Sequence, residues 1–221
     1  MNFKGYPLSV IGSREKNEDA WLVLDEHALY AVADGVGGGL HGEVASSMAV
    51  DGLRDRAVQV PDFRDTFYQL QEDILRESME KIGEPLMGTT LTAVSLSREG
   101  ARVGHVGDSR CYLFGDATLK LLTEDQEAYD ERHGCPVLIS YLGMPEGEMP
   151  KITEEVFPVV PGNRLLLCTD GLYRQISDHR MIEIIKEHLY SPEILLRALC
   201  DEALRVPYSD NVTVVYVEIE A

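Results

Sequence analysis

Two pairs of amphipathic helices, each interrupting a run of short apolar strands, constrain the fold of this sequence more than any other feature. Apolar residues recur at helical spacing in the segments 45–57, 61–82, 178–189 and 191–204. The intervening strands are joined by short turns such as Gly115-Asp116, which favour hairpins and therefore antiparallel pairing. There are enough strands for two sheets. We therefore predict an α+β fold, a four-layer α-β-β-α sandwich with one helix pair covering the outer face of each sheet.

Local signals indicate where several helices begin. Asp62, after Pro61, opens the second helix, and Ser177 or Asp178 can cap the third. In the last helix we predict that Ser191 supplies a capping side chain and that Pro192 takes the first helical position.

The strands differ in how they are expected to be buried. Segment 28–33 is apolar at nearly every position, which predicts a central strand covered on both faces. The last strand, 211–219, alternates between two faces, one with Thr213, Val215, Val217 and Ile219 and the other with Val214, Tyr216, Glu218 and Glu220. Segment 123–150 is polar and rich in Gly and Pro, so we predict a loop. Because no linker or low-complexity tract interrupts the chain, we expect one domain over residues 1–221.

The composition excludes several classes of function. The chain has 38 Asp and Glu against 20 Lys and Arg, a formal net charge of −18, which argues against binding to nucleic acid or to an anionic membrane. No apolar segment reaches the length of a signal peptide or a membrane span. The four cysteines form no CxxC pair, so a zinc or redox site is disfavoured and reduced cysteines in a cytoplasmic protein are expected.

Five aspartates stand at strand ends or in the turns beside them: Asp19, Asp34, Asp108, Asp170 and Asp210. Each alone is better explained as a turn former. If the strands converge, however, the carboxylates converge too, and they then repel one another unless cations neutralise them. Because no His or Cys accompanies them, the expected cations are hard ones, Mg²⁺ or Mn²⁺.

A pair of such ions can activate a water molecule for attack on phosphorus. That chemistry needs a cationic group for the phosphate, and Arg14 is the candidate, although a surface salt bridge is the ordinary explanation of a single arginine. The glycines at 37–39 would let the backbone approach a ligand closely, but they lack the context of a P-loop.

Several motifs, taken in order, resemble those of the metal-dependent protein Ser/Thr phosphatases of the protein phosphatase 2C type. They are Arg14-Glu15-Lys16-Asn17-Glu18-Asp19, Val32-Ala33-Asp34-Gly35-Val36-Gly37-Gly38, Gly88-Thr89-Thr90, Gly107-Asp108-Ser109-Arg110, Leu121-Leu122-Thr123, Leu166-Leu167-Cys168-Thr169-Asp170-Gly171-Leu172 and Asp210-Asn211-Val212-Thr213. The resemblance covers nearly the whole chain and implies the same sandwich fold.

The resemblance also implies roles for individual residues. Asp34 would bridge two Mn²⁺ or Mg²⁺ ions, the Gly35 carbonyl would bind one of them, and Asp170 and Asp210 would complete the pair. Glu18 and Asp19 would hold metal-bound waters, and Asp108 would support a weaker third ion. Arg14 would bind the substrate phosphate from outside the carboxylate set. The catalytic group is thus expected to consist of Arg14, Asp34, Asp170 and Asp210.

The sequence also departs from the family pattern. Val36 and Gly39 stand where family members carry histidines, and Asp125-Gln126 replaces an Asp-His pair. Segment 124–136 is much shorter than the helical flap that the family inserts there. We therefore expect an open site with little selectivity for peptide sequence.

The resemblance favours a bacterial-type phosphatase acting on phosphoserine and phosphothreonine in proteins. Its partners would be a Ser/Thr kinase or that kinase's target, and the protein would be a monomer. The alternative is an inactive family member that binds phosphoproteins, which typically lacks one or more of the carboxylates present here. A small-molecule phosphatase of another fold is disfavoured because neither a DxDx[TV] nor a CX5R motif occurs.

Overall fold

Two five-stranded antiparallel sheets lie face to face between two layers of helices. A computed structural model describes residues 1–36, 41–57, 62–132 and 134–221. The elements of the first half are β1 (Asn2–Val10), β2 (Asp19–Leu24), β3 (Leu29–Asp34), α1 (Gly42–Arg56), α2 (Phe63–Lys81), β4 (Leu91–Ser97) and β5 (Gly100–Val106). The second half contains β6 (Arg110–Gly115), β7 (Thr118–Leu121), β8 (Glu127–Asp130), β9 (Cys135–Leu138), β10 (Thr153–Phe157), β11 (Arg164–Cys168), α3 (Asp170–Tyr173), α4 (Asp178–Glu187), α5 (Pro192–Ala203) and β12 (Val212–Glu220).

The strand order confirms the predicted sandwich of antiparallel sheets. One sheet has the order β1-β12-β11-β6-β7 and the other the order β10-β5-β4-β3-β2, while β8 and β9 form a separate two-stranded ribbon. Among the described residues, no helix is long and apolar enough to cross a membrane.

Three apolar layers hold the sandwich together. Between the sheets, Tyr30 and Val32 of β3 belong to one cluster with Leu165, Val215 and Val217 of the facing sheet. Helices α1 and α2 cover the outer face of the second sheet with residues that include Leu53, Phe63, Phe67, Leu70 and Ile74. Helices α4 and α5 cover the other sheet, packing on residues such as Leu166, Val214 and Tyr216. The predicted two faces of β12 and the buried central position of β3 are therefore confirmed.

The structure confirms the helix start predicted at Asp62 and the cap predicted at Ser177. The Asp62 side chain accepts hydrogen bonds from the backbone N–H groups of Arg64 and Asp65, and Ser177 accepts one from Arg180. Pro192 is at the start of α5, but the prediction for the Ser191 side chain is wrong because it makes no capping bond. The backbone carbonyl of Ser191 instead accepts the Leu195 N–H at 2.9 Å, so the first turn closes without a side-chain cap.

Two regions differ from the sequence-based prediction. Strand β1 is not predicted by periodicity, since Lys4, Gly5 and Pro7 break its apolar pattern; pairing with β12 from Asn2 to Val10 forms it. The loop predicted at 123–150 is wrong for β8 and β9, which form a hairpin. Each strand has only four residues, and β8 (Glu127–Asp130) has charged residues at both ends while β9 (Cys135–Leu138) contains Pro136, so neither has the alternation of a typical strand. The hairpin begins where the Ile139 N–H bonds to the Gln126 carbonyl at 2.9 Å, a contact between distant residues that composition cannot reveal.

Candidate metal centre

The predicted site residues line one pocket, where β3 of one sheet and β11 of the other end. The pocket has a volume of about 560 Å³ and is lined by Arg14, Glu18, Asp34, Gly35, Asp108, Asp170 and Asp210, all of them predicted from the sequence. Asp19 lies behind this lining, opposite Asp34 in the register of β2 and β3. The glycines at 37–39 lie outside the described residues.

The two oxygens of the Asp19 carboxylate have different environments. Its Oδ2 accepts a hydrogen bond from the Thr169 hydroxyl at 2.9 Å. Its Oδ1 is buried and makes no hydrogen bond of acceptable geometry in the described part of the chain. Burial raises the pKa of Asp19 to about 7, against the opposing effect of the nearby Thr213 and Thr169 hydroxyls. A buried oxygen without a partner is a group that a cation or an ordered water would satisfy.

The backbone of Asp34 is held rigidly at the end of β3. Its carbonyl accepts hydrogen bonds from the Thr90 N–H and the Thr89 hydroxyl, both at 2.9 Å, and its N–H donates to the Thr90 hydroxyl. Burial, followed by the negative charges of Asp19 and Asp170, raises the pKa of the Asp34 carboxyl well above its ordinary value. A rigid backbone thus presents a carboxylate whose charge is not neutralised by the protein itself.

The pKa values of two neighbouring aspartates, Asp108 and Asp170, are also raised. Burial and the charge of Asp170 raise the pKa of Asp108 to about 6, although Arg174 opposes the shift. Burial also raises the pKa of Asp170, again against Arg174. Desolvated carboxylates that repel one another favour either protons or metal ions.

The donor chemistry of the pocket fits hard divalent ions. All the predicted side-chain ligands offer oxygen, and Gly35 is buried beside them with no space for a side chain, since an added Cβ would lie 2.5 Å from the Gly42 carbonyl carbon. In the described residues, no three His, Cys, Asp or Glu side chains are already arranged around one point. Three of the carboxylates instead face arginines: Asp210 pairs with Arg14 at 2.6 Å, and Asp170 and Asp108 pair with Arg174 at 2.8 and 3.0 Å.

The position of Arg14 differs from the expectation that it would stand outside the carboxylate set. Its Nη2 donates to Asp210 Oδ2, one of the predicted ligands. The Arg14 side chain is 55% exposed, so it can leave this pair at small cost. Arg14 is therefore connected both to the pocket and to solvent.

Asn211 connects two segments of the pocket, a role that the sequence motifs did not indicate. Its Nδ2 donates to the carbonyls of Ile11 and Lys16, at 2.8 and 3.0 Å, and its Oδ1 accepts the Glu18 N–H at 2.8 Å. It thereby ties the start of β12 to the segment that carries Arg14 and Glu18. The sequence signal that could have indicated this role is the position of Asn211 directly after Asp210 in the same motif.

Gln126 and the β8–β9 hairpin form one wall of the pocket. Gln126 is buried; its Oε1 accepts the Gly107 N–H at 3.0 Å and its Nε2 donates to the Lys151 carbonyl at 2.8 Å. This bond fixes the hairpin beside Asp108. The strand β9, together with Tyr141, lines the pocket. The segment expected to be structureless is thus a formed wall.

The comparisons with known proteins agree with this geometry. The model of the family described as "Protein phosphatase 2C" matches residues 9–193. The chain belongs to the protein phosphatase 2C family. A relative from Listeria monocytogenes serovar 1/2a, named "Serine/threonine phosphatase stp", is 31% identical over 93% of this chain and 91% of its own.

Two solved structures share the fold of this chain over nearly their whole length. PppA, described as a key regulatory component of T6SS in Pseudomonas aeruginosa, superposes with a TM-score of 0.85 at 27% identity, over 99% of this chain and 98% of its own. The catalytic domain of the Ser/Thr protein phosphatase PstP, in complex with two manganese ions, gives a TM-score of 0.82 at 28% identity, over 100% and 99% of the two chains.

We expect Asp34→Asn to stabilise the metal-free protein as the pH rises. Because folding raises the pKa of Asp34, its stabilising contribution is present at low pH and is lost as the pH rises toward the folded value. The uncharged amide of the variant would carry no such penalty. In EDTA, the melting temperatures of variant and wild type should be close at pH 4. At pH 8 the variant should melt several degrees higher, since each kcal/mol of unfolding free energy shifts the melting temperature of a chain of this size by about 2–4 °C. Equal melting curves at pH 8 would contradict the convergence of carboxylates.

Proposed function

We propose that this protein hydrolyses phosphoserine and phosphothreonine in other proteins with the help of two divalent metal ions, Mn²⁺ or Mg²⁺. The observation that carries the proposal is the convergence of six carboxylates and the Gly35 backbone beside Arg14 at the junction of the two sheets. The names of the relatives and the two manganese ions in the PstP structure support it.

The residues of the pocket divide into those that would hold the ions and those that would position the substrate. Asp34, Asp170, Asp210 and the Gly35 carbonyl would be direct ligands, and Glu18 and Asp19 would act through water. The bound ions would lower the pKa of a water molecule and offset the charge of the phosphate. Asp34 holds its place through the Thr89 and Thr90 hydrogen bonds, and this preorganisation means that little energy is spent on reorienting it during the reaction.

Arg14 would exchange its partner when substrate arrives. In the free protein its guanidinium bonds to Asp210; a phosphate dianion in the pocket offers two oxygens to the same fork. Coordination of an ion by Asp210 would weaken the pairing of Asp210 with Arg14 and leave the guanidinium available for the phosphate. Val36 lines the pocket and offers no proton, so the leaving alcohol must take its proton from water or another group.

We expect Arg14→Ala to raise KM for a phosphothreonine peptide by about 10- to 100-fold, since a charge-assisted hydrogen bond contributes about 1.5–3 kcal/mol. Inhibition by inorganic phosphate should weaken in parallel. Because Arg14 touches Asp210, the affinity for Mn²⁺ should also change, by a few-fold at most. Arg14→Lys keeps the positive charge but lacks the two-pronged guanidinium, so its KM should lie between those of the wild type and Arg14→Ala. A KM equal to that of the wild type would show that another group binds the phosphate.

The direct test of the function is phosphate release from a phosphothreonine peptide in Mn²⁺, Mg²⁺ or EDTA. We expect turnover with one or both metals and none in EDTA. Absence of turnover in every metal, together with retained binding of the phosphopeptide, would favour the alternative of an inactive phosphoprotein-binding member.

The proposal extends to partners and location. The substrate would be a Ser/Thr kinase or its target in a signalling pathway, and the protein would act as a cytoplasmic, single-domain monomer over residues 1–221. The net charge of −18 supports the exclusion of nucleic acid and anionic membranes as partners. The wall formed by β8 and β9 is expected to contact residues that flank the phosphoamino acid. This expectation replaces the earlier one of an open site with little selectivity for peptide sequence.

We expect Val137→Ala to reduce kcat/KM about 3- to 10-fold for peptides with apolar residues beside the phosphothreonine. Val137 lines the pocket with 41% of its surface exposed, and truncation removes two methyl groups' worth of contact, at about 0.8 kcal/mol each. The matched control is Tyr129→Ala on the same hairpin, because Tyr129 is exposed and does not line the pocket. A peptide panel at low and high salt separates this effect from charge repulsion. An equal loss of kcat/KM for peptides with apolar and with polar flanking residues would argue against contact between the β8–β9 wall and the peptide.

A further inference from the structure

The guanidinium of Arg174 lies among three carboxylates of the pocket. Its Nε donates to Asp170 Oδ2 at 2.8 Å, and its Nη2 donates to Asp108 Oδ2 at 3.0 Å. The same Nη2 also bonds to Glu127 Oε1. One arginine therefore joins acidic residues that follow β5, begin β8 and begin α3.

These ion pairs are shielded from water to different degrees. The side chains of Asp108 and Glu127 are only 7% and 15% exposed, and Arg174 is 34% exposed. The position of Arg174 is set by the backbone, since its N–H donates to the Asp170 carbonyl at 3.0 Å at the end of α3. Arg174 is therefore less exposed than Arg14, and its backbone is bonded to the predicted metal ligand Asp170 itself.

Arg110, two residues after Asp108 in the sequence, is already engaged. Arg110 forms a bidentate pair with Asp125, with contacts at 2.9 and 2.7 Å, and its guanidinium stacks 3.7 Å from the centre of the Tyr173 ring. It is therefore held away from Asp108. Within the part of the chain that the structure describes, Arg174 is the arginine that bonds to Asp108 and Glu127.

We propose that Arg174 is a built-in cation that occupies the place where Asp108 would otherwise support a third metal ion, so that this chain binds two ions rather than three. The inference rests on the proposed function for its two-ion centre. Asp108 Oδ2, through which Asp108 would reach a third ion, bonds to the guanidinium, and so does the neighbouring Glu127 Oε1. A divalent cation placed at the same carboxylates would also be repelled by the positive charge of Arg174.

Arg174 is in this view a positioning residue rather than a catalytic one. It links Glu127, the first residue of the hairpin wall, to Asp170, and so holds the wall next to the metal centre. Unlike an exchangeable ion, a tethered guanidinium is present at every metal concentration. The number of bound ions is therefore the property that a merely structural arginine would not control.

The test is calorimetric titration of the metal-free, full-length chain with Mn²⁺. We expect two ions for the wild type and two for Asp108→Asn. Arg174→Gln should bind a third ion, at least tenfold more weakly than the first two, and the double variant Arg174→Gln/Asp108→Asn should return to two. Arg174→Lys, which retains a tethered charge, should remain at two.

A wild-type protein that binds three ions would overturn the proposal, as would an Arg174→Gln variant that still binds two. If Arg174→Gln fails to fold, Arg174→Met replaces it, since it also removes the charge and should bind a third ion; three ions in the wild type or in Arg174→Lys would still contradict the proposal. The outcome is separable from the proposed function. A wild type that binds two ions without releasing phosphate from any peptide would contradict the phosphatase assignment alone, whereas an active enzyme with three ions would contradict only the role of Arg174.

Discussion

Asp34→Ala and Asp170→Ala should each lower turnover of a phosphothreonine peptide by at least about 10²–10³-fold at saturating Mn²⁺. Each substitution removes a charged oxygen donor from the pocket, and losing one preorganised electrostatic contact typically has an effect of this size. Asp34 is the more informative of the two, because its backbone is held by Thr89 and Thr90 and should stay in place without the side chain. The measurement is kcat at several Mn²⁺ concentrations, with circular dichroism to confirm the fold.

The control for these variants is another aspartate on the surface. Asp51 of α1 is exposed and pairs with Arg54 one helical turn away, so Asp51→Ala should keep wild-type turnover. If either Asp34→Ala or Asp170→Ala retained more than a tenth of the wild-type kcat, the residue concerned would not be a metal ligand.

Gly171→Ala should impair the centre strongly, by about 10²-fold in kcat/KM, although it removes no ligand. A Cβ at position 171 would lie 2.0 Å from the Asn211 carbonyl oxygen and 3.0 Å from its carbonyl carbon. That backbone cannot move away easily, since the Asn211 side chain is bonded to Ile11, Lys16 and Glu18. The methyl group would instead separate Asp170 from Asp210, and a misplacement of about 1 Å can cost about 10²-fold in rate.

The comparison variant for Gly171→Ala is Gly83→Ala. Gly83 has a φ of +82° and open space around it, so alanine there should lower the melting temperature through backbone strain without affecting Mn²⁺ affinity. Both variants are assayed well below their melting temperatures. Wild-type Mn²⁺ affinity and kcat/KM in Gly171→Ala would mean that the spacing of Asp170 and Asp210 is not critical.

The layers of the fold and the location of the site were predictable because their signals are local. The stripe of Phe63, Phe67, Leu70 and Ile74 and the two faces of β12 follow from periodicity, and the structure buries them as expected. The aspartates converge because each is placed at a strand end. Because these strand ends meet at one junction of the sandwich, their carboxylates lie close together once the sheets have packed.

The partners of those carboxylates were not predictable. Arg174 and Glu127 are 47 residues apart, and Arg14 and Asp210 are 196 residues apart. A charged residue in a polar segment has the same local pattern whether it faces water or another charge. The structure alone therefore shows that Arg14 and Arg174 pair with three of the aspartates predicted for the metal site, Asp108, Asp170 and Asp210.

The sequence by itself determined the four layers, the order of the motifs and the set of oxygen donors, since helical and strand periodicity and turn chemistry act over a few residues. Only the tertiary structure decided that β1 forms on β12, that β8 and β9 build a wall at the pocket, and that Gln126 anchors this wall to Gly107. These elements have weak intrinsic propensity. They form because hydrogen-bonding groups that are distant along the chain become neighbours once the sheets have packed, and buried backbone groups must then find partners.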